Sequence, residues 1–413
     1  MSKLQPVRGT HDLLPDEFAK FFAIQNVARE IVAKYGFREM ATPIFEFTEV
    51  FARTMGETSD VVTKEMYQFE DRGGESITLR PEFTAGIVRS FISNGLQREL
   101  PLKLFSTGPV FRYERPQKGR QRQFHQINVE WLGAQVWTSD IEVIMMANDL
   151  LKNLGITSTL HINSLGDSES RYSYREALVK YLEKYTNDLS DDSKIRLDKN
   201  PLRILDSKDE GDKKIVSQAP RLLDSLSADS KEKYNYIVEQ LSMYKQLGFI
   251  DDFIQDDKLV RGLDYYNDVV FEFKSDSLGA QDTILAGGRY DSLVKKMGGI
   301  DTAAVGWGAG IERLMLLSNI APELPKKIVV IAGSDRLRSQ AHRIAYELRR
   351  KKKGLTVLVA SQINISKALT YANKIAASEA YILGEDEAAK NCVTVKNLID
   401  GSQKTLSISD INL

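Results

Sequence analysis

Residues 111–130 read Phe111-Arg112-Tyr113-Glu114-Arg115-Pro116-Gln117-Lys118-Gly119-Arg120-Gln121-Arg122-Gln123-Phe124-His125-Gln126-Ile127-Asn128-Val129-Glu130. Two β-rich runs flank a basic stretch holding Pro116 and Gly119, so the segment reads as strand, loop and returning strand. Four arginines and one lysine lie between Phe111 and Arg122. A guanidinium projected from a strand at Arg112 suits paired hydrogen bonds to phosphate. Taken alone, the same residues describe a surface hairpin with solvated charges.

The flanking sequence favours an antiparallel sheet. Short β-rich runs such as Ser76-Ile-Thr-Leu79, Leu102-Lys-Leu-Phe-Ser106 and Gln126-Ile-Asn-Val-Glu130 alternate with turn signals. Local returns of this kind predict an α+β arrangement with helices on the sheet. Upstream, Phe18, Phe21, Ile24, Ala28, Ile31 and Tyr35 recur at helical spacing, and Gly36 stops the pattern. Strand-like sequence is expected to resume near Phe249, through Leu259-Val-Arg-Gly-Leu-Asp-Tyr-Tyr266 and Val269-Val-Phe-Glu-Phe273. Between these blocks, residues 168–241 are charged and helically periodic, as an inserted helical module would be. Pro322 and Pro325 mark a linker. Beyond it, Ile328–Ala332, Leu337–Lys351, Leu355–Val359, Ser366–Ala377 and Ala380–Leu383 alternate strand and helix. The predicted divisions are therefore 1–167 with 242–320, 168–241, and 321–413.

Composition narrows the class. Apolar residues make up 42% of the 413 and charged residues 27%, ordinary values for a globular protein. Cys392 is the only cysteine and the four histidines are scattered, which argues against disulfides and a structural metal. No apolar run approaches the roughly 20 residues of a bilayer span, and the N-terminus lacks a leader pattern. A cytoplasmic protein without a membrane partner is expected. The net charge of −1 conceals an asymmetry: residues 321–413 hold 15 lysines and arginines against 9 acidic residues. Such a basic end fits either a polyanionic partner or a solvated helix face.

A second chemical motif is Gly306-Trp-Gly-Ala-Gly-Ile-Glu-Arg-Leu314. Alternate glycines clear one strand face for a flat ligand or for close packing. Arg313 opens the helix that follows. Together, the arginine–x–glutamate strand at 112–114 and this glycine run resemble the second and third signature motifs of the class II aminoacyl-tRNA synthetases. Gly36 through Pro43 is similar to the first. Arg261-Gly-Leu-Asp-Tyr-Tyr-Asn267, Ala286-Gly-Gly-Arg-Tyr-Asp291, Leu79-Arg-Pro-Glu-Phe-Thr84 and residues 115–126 resemble the signatures of the histidine-specific family. Departures are Ser292 in place of a usual glycine, Asp268 where a basic or small residue is common, and Ala368 and Leu369 where polar residues are usual.

The resemblance implies a class II antiparallel sheet flanked by helices, a helical insertion, and a C-terminal α/β anticodon-binding domain. It implies a homodimer that activates histidine with ATP and magnesium, then charges tRNA(His). By the same resemblance, Arg112 holds the α-phosphate and the histidine carboxylate, Arg313 the γ-phosphate, and Arg261 is catalytic at the α-phosphate. Glu114 and Phe124 take the adenine. Glu82, Thr84 and Gln126 bind the amino group, while Glu130 and Tyr266 read the imidazole, with Tyr265 alongside. Arg115, Gln117, Lys118 and Arg120 meet the tRNA acceptor end. One alternative for Arg261 is a structural ion pair with Asp264, and Tyr265 could be a core aromatic. A rival for the whole chain is a non-catalytic paralogue serving as a regulatory subunit in histidine biosynthesis.

Overall fold

The amphipathic stretch forms a helix over Pro15–Lys34, with Pro15 at its start, Asp16 and Glu17 in its first turn and Lys34 in its last. Each of these suits its position through fixed φ or the helix dipole. Phe21, Ile24, Ala28 and Ile31 form the buried face. The computed structural model describes residues 3–55, 61–117, 119–279, 282–351 and 354–411, which divide into units at Met1–Pro322 and Glu323–Leu413.

In the first unit, the main sheet runs Arg38–Glu39, Leu102–Phe111, Gln123–Leu132, Ala304–Gly310, Thr283–Arg289, Asn267–Lys274, Thr159–Ser164 and Phe253–Gln255 in spatial order. Every neighbouring pair is antiparallel except at the two edges, where Arg38–Glu39 and Phe253–Gln255 run parallel to their neighbours. Strand alternation gives the sheet two chemically different faces. Along Gln123–Leu132, Ile127 and Val129 enter an apolar core with Phe21, Ile24, Ile144 and Trp307. Phe124, Gln126, Asn128 and Glu130 point the other way, into a cleft. A smaller antiparallel sheet combines Phe45–Phe47, Ser76–Leu79 and Tyr67–Glu70.

Leu259–Tyr266 is not a strand, contrary to the β-rich reading of its sequence. After Phe253–Gln255 the chain leaves the sheet and rejoins it at Asn267. Its apolar and aromatic residues satisfy burial without a ladder: Leu259 is 5% exposed, Tyr265 2% and Tyr266 6%. Burial gives the same apolar signal in a packed loop as in a strand, so periodicity cannot separate them.

The helical stretch contains Ser168–Leu182, Asp191–Lys199, Glu210–Val216 and Ala228–Gln246. Asp167, Ser190, Asp209 and Ser227 each accept a backbone hydrogen bond at the helix start they precede. Apolar side chains from these helices join the cores on either side of the main sheet. Tyr234, Ile237 and Leu241 pack with Phe271 and Phe273, while Tyr174, Leu178 and Leu182 pack with Tyr265 and Tyr266.

The second unit has the strand order Leu355–Val359, Lys326–Ala332, Glu379–Leu383, Cys392–Asn397, Gln403–Ser407. The first three are parallel, and the last two add antiparallel strands that the sequence pattern did not disclose. Ala368 is fully buried against Val329 and Ile331, with Leu369 packed beside it. Their departure from polarity therefore serves the core. In the basic stretch after Leu348, Arg349 donates to the Val357 carbonyl at 2.7 Å and Arg350 lies 5.9 Å from the Tyr346 ring centre; Lys352 and Lys353 lie outside the described residues.

Arg289 ties the sheet to the helix Thr138–Asn153. It donates to Asp140 at 2.6 Å, Ser139 at 3.0 Å, the Ala134 carbonyl at 2.8 Å and Asp291 at 3.1 Å. Burial raises the Asp140 carboxyl to about 6 despite the arginine. Gly287 and Gly288 precede Arg289 because added Cβ atoms would approach the Gly306 and Val269 carbonyls at 2.3 and 2.7 Å. Replacing Arg289 by Met is expected to cost about 3–5 kcal/mol by stranding a buried carboxylate. Equilibrium denaturation checks this, and a loss below about 1 kcal/mol would contradict it.

Candidate active site

The polar face of the main sheet floors a cleft of about 670 Å³, a size typical of small-molecule sites. Glycines decide how its floor packs. Gly306 pairs with Glu130 across the sheet, and an added Cβ would sit 2.0 Å from Glu130 Oε2. One at Gly308 would lie 2.5 Å from Gln126 Nε2. These glycines thus let the Glu130 and Gln126 side chains lie flat on the strand. At Gly310 an added Cβ meets nothing within 4 Å, so the backbone there stays open to the cleft.

Glu130 is 1% exposed. Its Oε1 accepts from Thr84 Oγ1 at 2.5 Å and Asn128 Nδ2 at 3.1 Å, and its Oε2 is hydrogen-bonded to the Tyr290 hydroxyl. Burial pushes its carboxyl up to about 8, with the nearby Glu82 charge adding to the rise and these donors opposing it. Glu82 sits at the start of the helix Thr84–Ser93, where its oxygens accept from the Thr84 and Ala85 amides at 2.6 and 2.7 Å. Burial raises Glu82 as well, against those hydrogen bonds. Two more acceptors are poised in the cleft: Gln126 Oε1 and Asn128 Oδ1 are buried without a hydrogen-bond partner. Unpaired buried acceptors are costly, so a site presenting them favours a ligand with donors.

Aromatic rings close one side. Tyr265, Tyr266 and Tyr290 pack with centroid separations of 4.6 Å, 5.6 Å and 6.5 Å. Both Tyr265 and Tyr266 line the cleft, so the former belongs to core and cleft at once.

Arg112, Arg261 and Arg313 converge on this cavity. Arg112 donates to the Pro81 carbonyl at 2.9 Å and lies 5.5 Å from the Phe124 ring centre. Arg313 donates to the Gly119 carbonyl at 3.3 Å and to the Thr283 carbonyl. Burial lowers its pKa, and the charges of Arg120 and Arg112 lower it further. Arg261 pairs with Glu272, not with Asp264; Asp264 is engaged by Arg203 and Asn200 instead. Its ring-facing position, 5.6 Å from the Tyr266 centroid, leaves Nε buried and unpartnered. Burial opposes the charge of Arg261, but Glu272 together with Tyr266 and Tyr265 outweighs it and holds its pKa above the usual arginine value.

Glu114 also lines the cleft, paired with Arg120 at 2.7 Å. Arg115 and Gln117 are exposed and do not line it; Lys118 lies outside the described residues. Arg115 borders a separate shallow hollow with Arg8, Tyr113 and Arg122. Asn128 and Glu272 line the cleft and Tyr290 backs it through Glu130, and the sequence reading named none of them as site residues. Asn128 was detectable by period-two counting between Gln126 and Glu130, and Tyr290 stood inside the 286–291 motif. Glu272 could be found only from its partner, Arg261.

Known proteins show the same organisation. A family model for histidyl-tRNA synthetase matches residues 9–314, and one for an anticodon binding domain matches 327–412. The histidine–tRNA ligase of Rhodospirillum rubrum is 50% identical over 99% of this chain and 98% of its own. That of Gluconobacter oxydans is 48% identical over 100% and 98%. An apo crystal structure of the S. aureus histidyl-tRNA synthetase superimposes with a TM-score of 0.82, at 32% identity over 99% of both chains. A Bacillus halodurans ATP phosphoribosyltransferase regulatory subunit/histidyl-tRNA synthetase, 20% identical with a TM-score of 0.67 over 93% of this chain and 99% of its own, shares the fold alone. With a polar, arginine-lined cleft on an antiparallel sheet and full-length likeness to these ligases, the chain belongs to the histidyl-tRNA synthetase family.

Proposed function

We propose that this cleft joins histidine to the α-phosphate of ATP and that the resulting adenylate passes its histidyl group to the 3′ end of tRNA(His). The convergence of Arg112, Arg261 and Arg313 on one cavity carries this reading. Attack of a carboxylate on a phosphorus sets two anions together, so fixed positive charge is the main catalytic need. Arg112 neutralises the histidine carboxylate and the α-phosphate. Arg261 stabilises charge developing on the α-phosphate as pyrophosphate leaves, and Arg313 holds the γ-phosphate. Glu114 accepts from the adenine amino group, with Phe124 stacked on the ring. Magnesium arrives as part of the ATP substrate. Among the described residues no group of three His, Cys, Asp or Glu side chains is arranged to hold a metal.

The amino acid fits the polar end. Glu82, Thr84 and Gln126 offer oxygens to its ammonium group. Glu130 and Tyr266 address the imidazole nitrogens, one of which donates and one accepts. Tyr290 and Asn128 hold Glu130 in place. A phenylalanine would leave these buried groups unpaired, which is a strong basis for rejection.

Arg115, Gln117, Lys118 and Arg120 meet the tRNA acceptor end, and residues 321–413 read the anticodon. Residues 168–241 act as a helical insertion in the catalytic core formed by 1–167 and 242–320. The chain works in the cytoplasm as a homodimer; Phe45, Phe47 and Phe69, 58%, 51% and 47% exposed on the small sheet, support such an interface. A non-catalytic regulatory role is disfavoured, because the arginine set is intact and an anticodon-binding match is present.

Histidine-dependent ATP–pyrophosphate exchange is the primary test, and dependence on another amino acid would overturn the assignment. Arg261→His is expected to slow exchange by roughly 100- to 1000-fold while the thermal melt is retained; near-normal exchange removes its catalytic role. Removing residues 323–413 should weaken tRNA binding and flatten its dependence on salt, as read by filter binding across a salt series. Glu130 yields a pH test. Its folded pKa, about 8, stands above the ordinary 4.5, so the native state binds the extra proton between those values. Its contribution to stability is complete below 4.5 and is lost as pH rises through 8. Glu130→Gln should therefore fall less in Tm between pH 5 and 8.5 than the unaltered protein; parallel melting curves would contradict the shift.

A further inference from the structure

The segment that carries Arg261, Tyr265 and Tyr266 into the cleft belongs to no strand. Sheet pairing does not fix it, so something else must. Its fixed points lie largely in the helical stretch. Arg203, in the turn Pro201–Ile204, donates to the Gly262 carbonyl and reaches Asp264 Oδ1 at 3.4 Å. Asn200 Nδ2 meets the same oxygen at 3.1 Å. Arg171, on the helix Ser168–Leu182, donates to the Tyr266 carbonyl at 3.2 Å. Where the segment rejoins the sheet, Ser230 Oγ meets Asp268 at 2.9 Å. Asp268 has φ +46°, a left-handed conformation disfavoured for a side chain bearing a Cβ. It lies where the ladder shifts register between Gly288–Val270 and Arg289–Asn267.

Resting on the proposed adenylation chemistry, we infer that Arg203 is a positioning residue: it sets Arg261 against the α-phosphate by gripping the backbone immediately after it. The gripped carbonyl belongs to the peptide that follows Gly262, one residue beyond the Cα of Arg261, so a shift there reaches the arginine through a single intervening residue. The Arg203 side chain is 12% exposed, and its guanidinium bridges a carbonyl and a carboxylate that are two residues apart. Both contacts run through Nη2, which the stiff planar guanidinium holds in place better than a flexible lysine stem would hold an ammonium. Three residues on, Asp206 lines the same cleft and experiences the charges of Glu272 and Arg261. The Arg203 turn therefore enters the cleft wall beside the catalytic pair.

The grip acts on geometry at the α-phosphate, while ATP is held chiefly by Arg112, Arg313, Glu114 and Phe124. Arg203→Ala in the full chain should thus lower kcat for histidine-dependent ATP–pyrophosphate exchange by about 30- to 100-fold, the scale of a small misplacement of a catalytic group. KM for ATP should change less than about threefold, because the same step loses transition-state but not ground-state contacts. Added guanidinium ion should restore part of the rate to Arg203→Ala, and Arg203→Lys should recover little. On an Arg261→Ala background, Arg203→Ala should produce almost no further loss, since its effect passes through the missing side chain. A kcat within threefold of the unaltered enzyme overturns the inference. So does multiplication of the two losses in the double variant, or a fall explained by unfolding in a thermal melt at the assay temperature. Lack of histidine-dependent exchange by the unaltered protein is a different result, and overturns the adenylation reading itself.

Discussion

Strand alternation across Gln123–Leu132 and Ala304–Gly310 is the constraint on which the catalytic unit rests. These neighbours are registered with Glu130 opposite Gly306 and Gln126 opposite Gly310. Their odd-numbered residues Ile127, Val129, Trp307 and Ala309 are at most 1% exposed and bury the helix-facing side. Their even-numbered residues supply the cleft. A slip of one residue would exchange these faces, burying Glu130 among the apolar groups and pushing Trp307 into the site. Hydrophobic burial and site construction thus enforce the same register.

From this register the electrostatics follow. Glu130 cannot reach water, so its environment must supply hydrogen bonds, and Thr84, Asn128 and Tyr290 do so from separate elements. Thr84 stands at the first turn of its helix, where Glu82 already binds two amides. This end of the cleft is therefore a connected polar network, in which each member orients the next. The arginine end is different: burial lowers the pKa of Arg313, and the charges of Arg120 and Arg112 lower it further. Cations brought together in this way favour an anionic ligand.

Much of this was legible residue by residue. The helix at Pro15–Lys34 follows its apolar spacing, and the strands around 102–132 follow their β-rich runs and turns. The arginines, Glu82, Gln126, Glu130 and Tyr266 stood within motifs whose family resemblance brought them together. The errors have specific causes. Leu259–Tyr266 was read as strand because packed loops and strands bury similar residues. Cys392–Asn397 and Gln403–Ser407 were missed because they are short, with the latter largely exposed. Arg261 was offered Asp264 as a partner through proximity in sequence, but the strand carrying Glu272 comes closer in space.

The sequence by itself determined the local chemistry: which segments could bury a stripe or a face, where turns had to fall, and which side chains could neutralise phosphate or hydrogen-bond an imidazole. Those properties reside in single residues and short periods. Only the tertiary structure decided which charges share a cavity, that Gly306 makes room for Glu130, and that Arg203 grips the loop after Arg261. Such relations join positions distant along the chain, and no local preference specifies them; they exist once packing has brought the faces together.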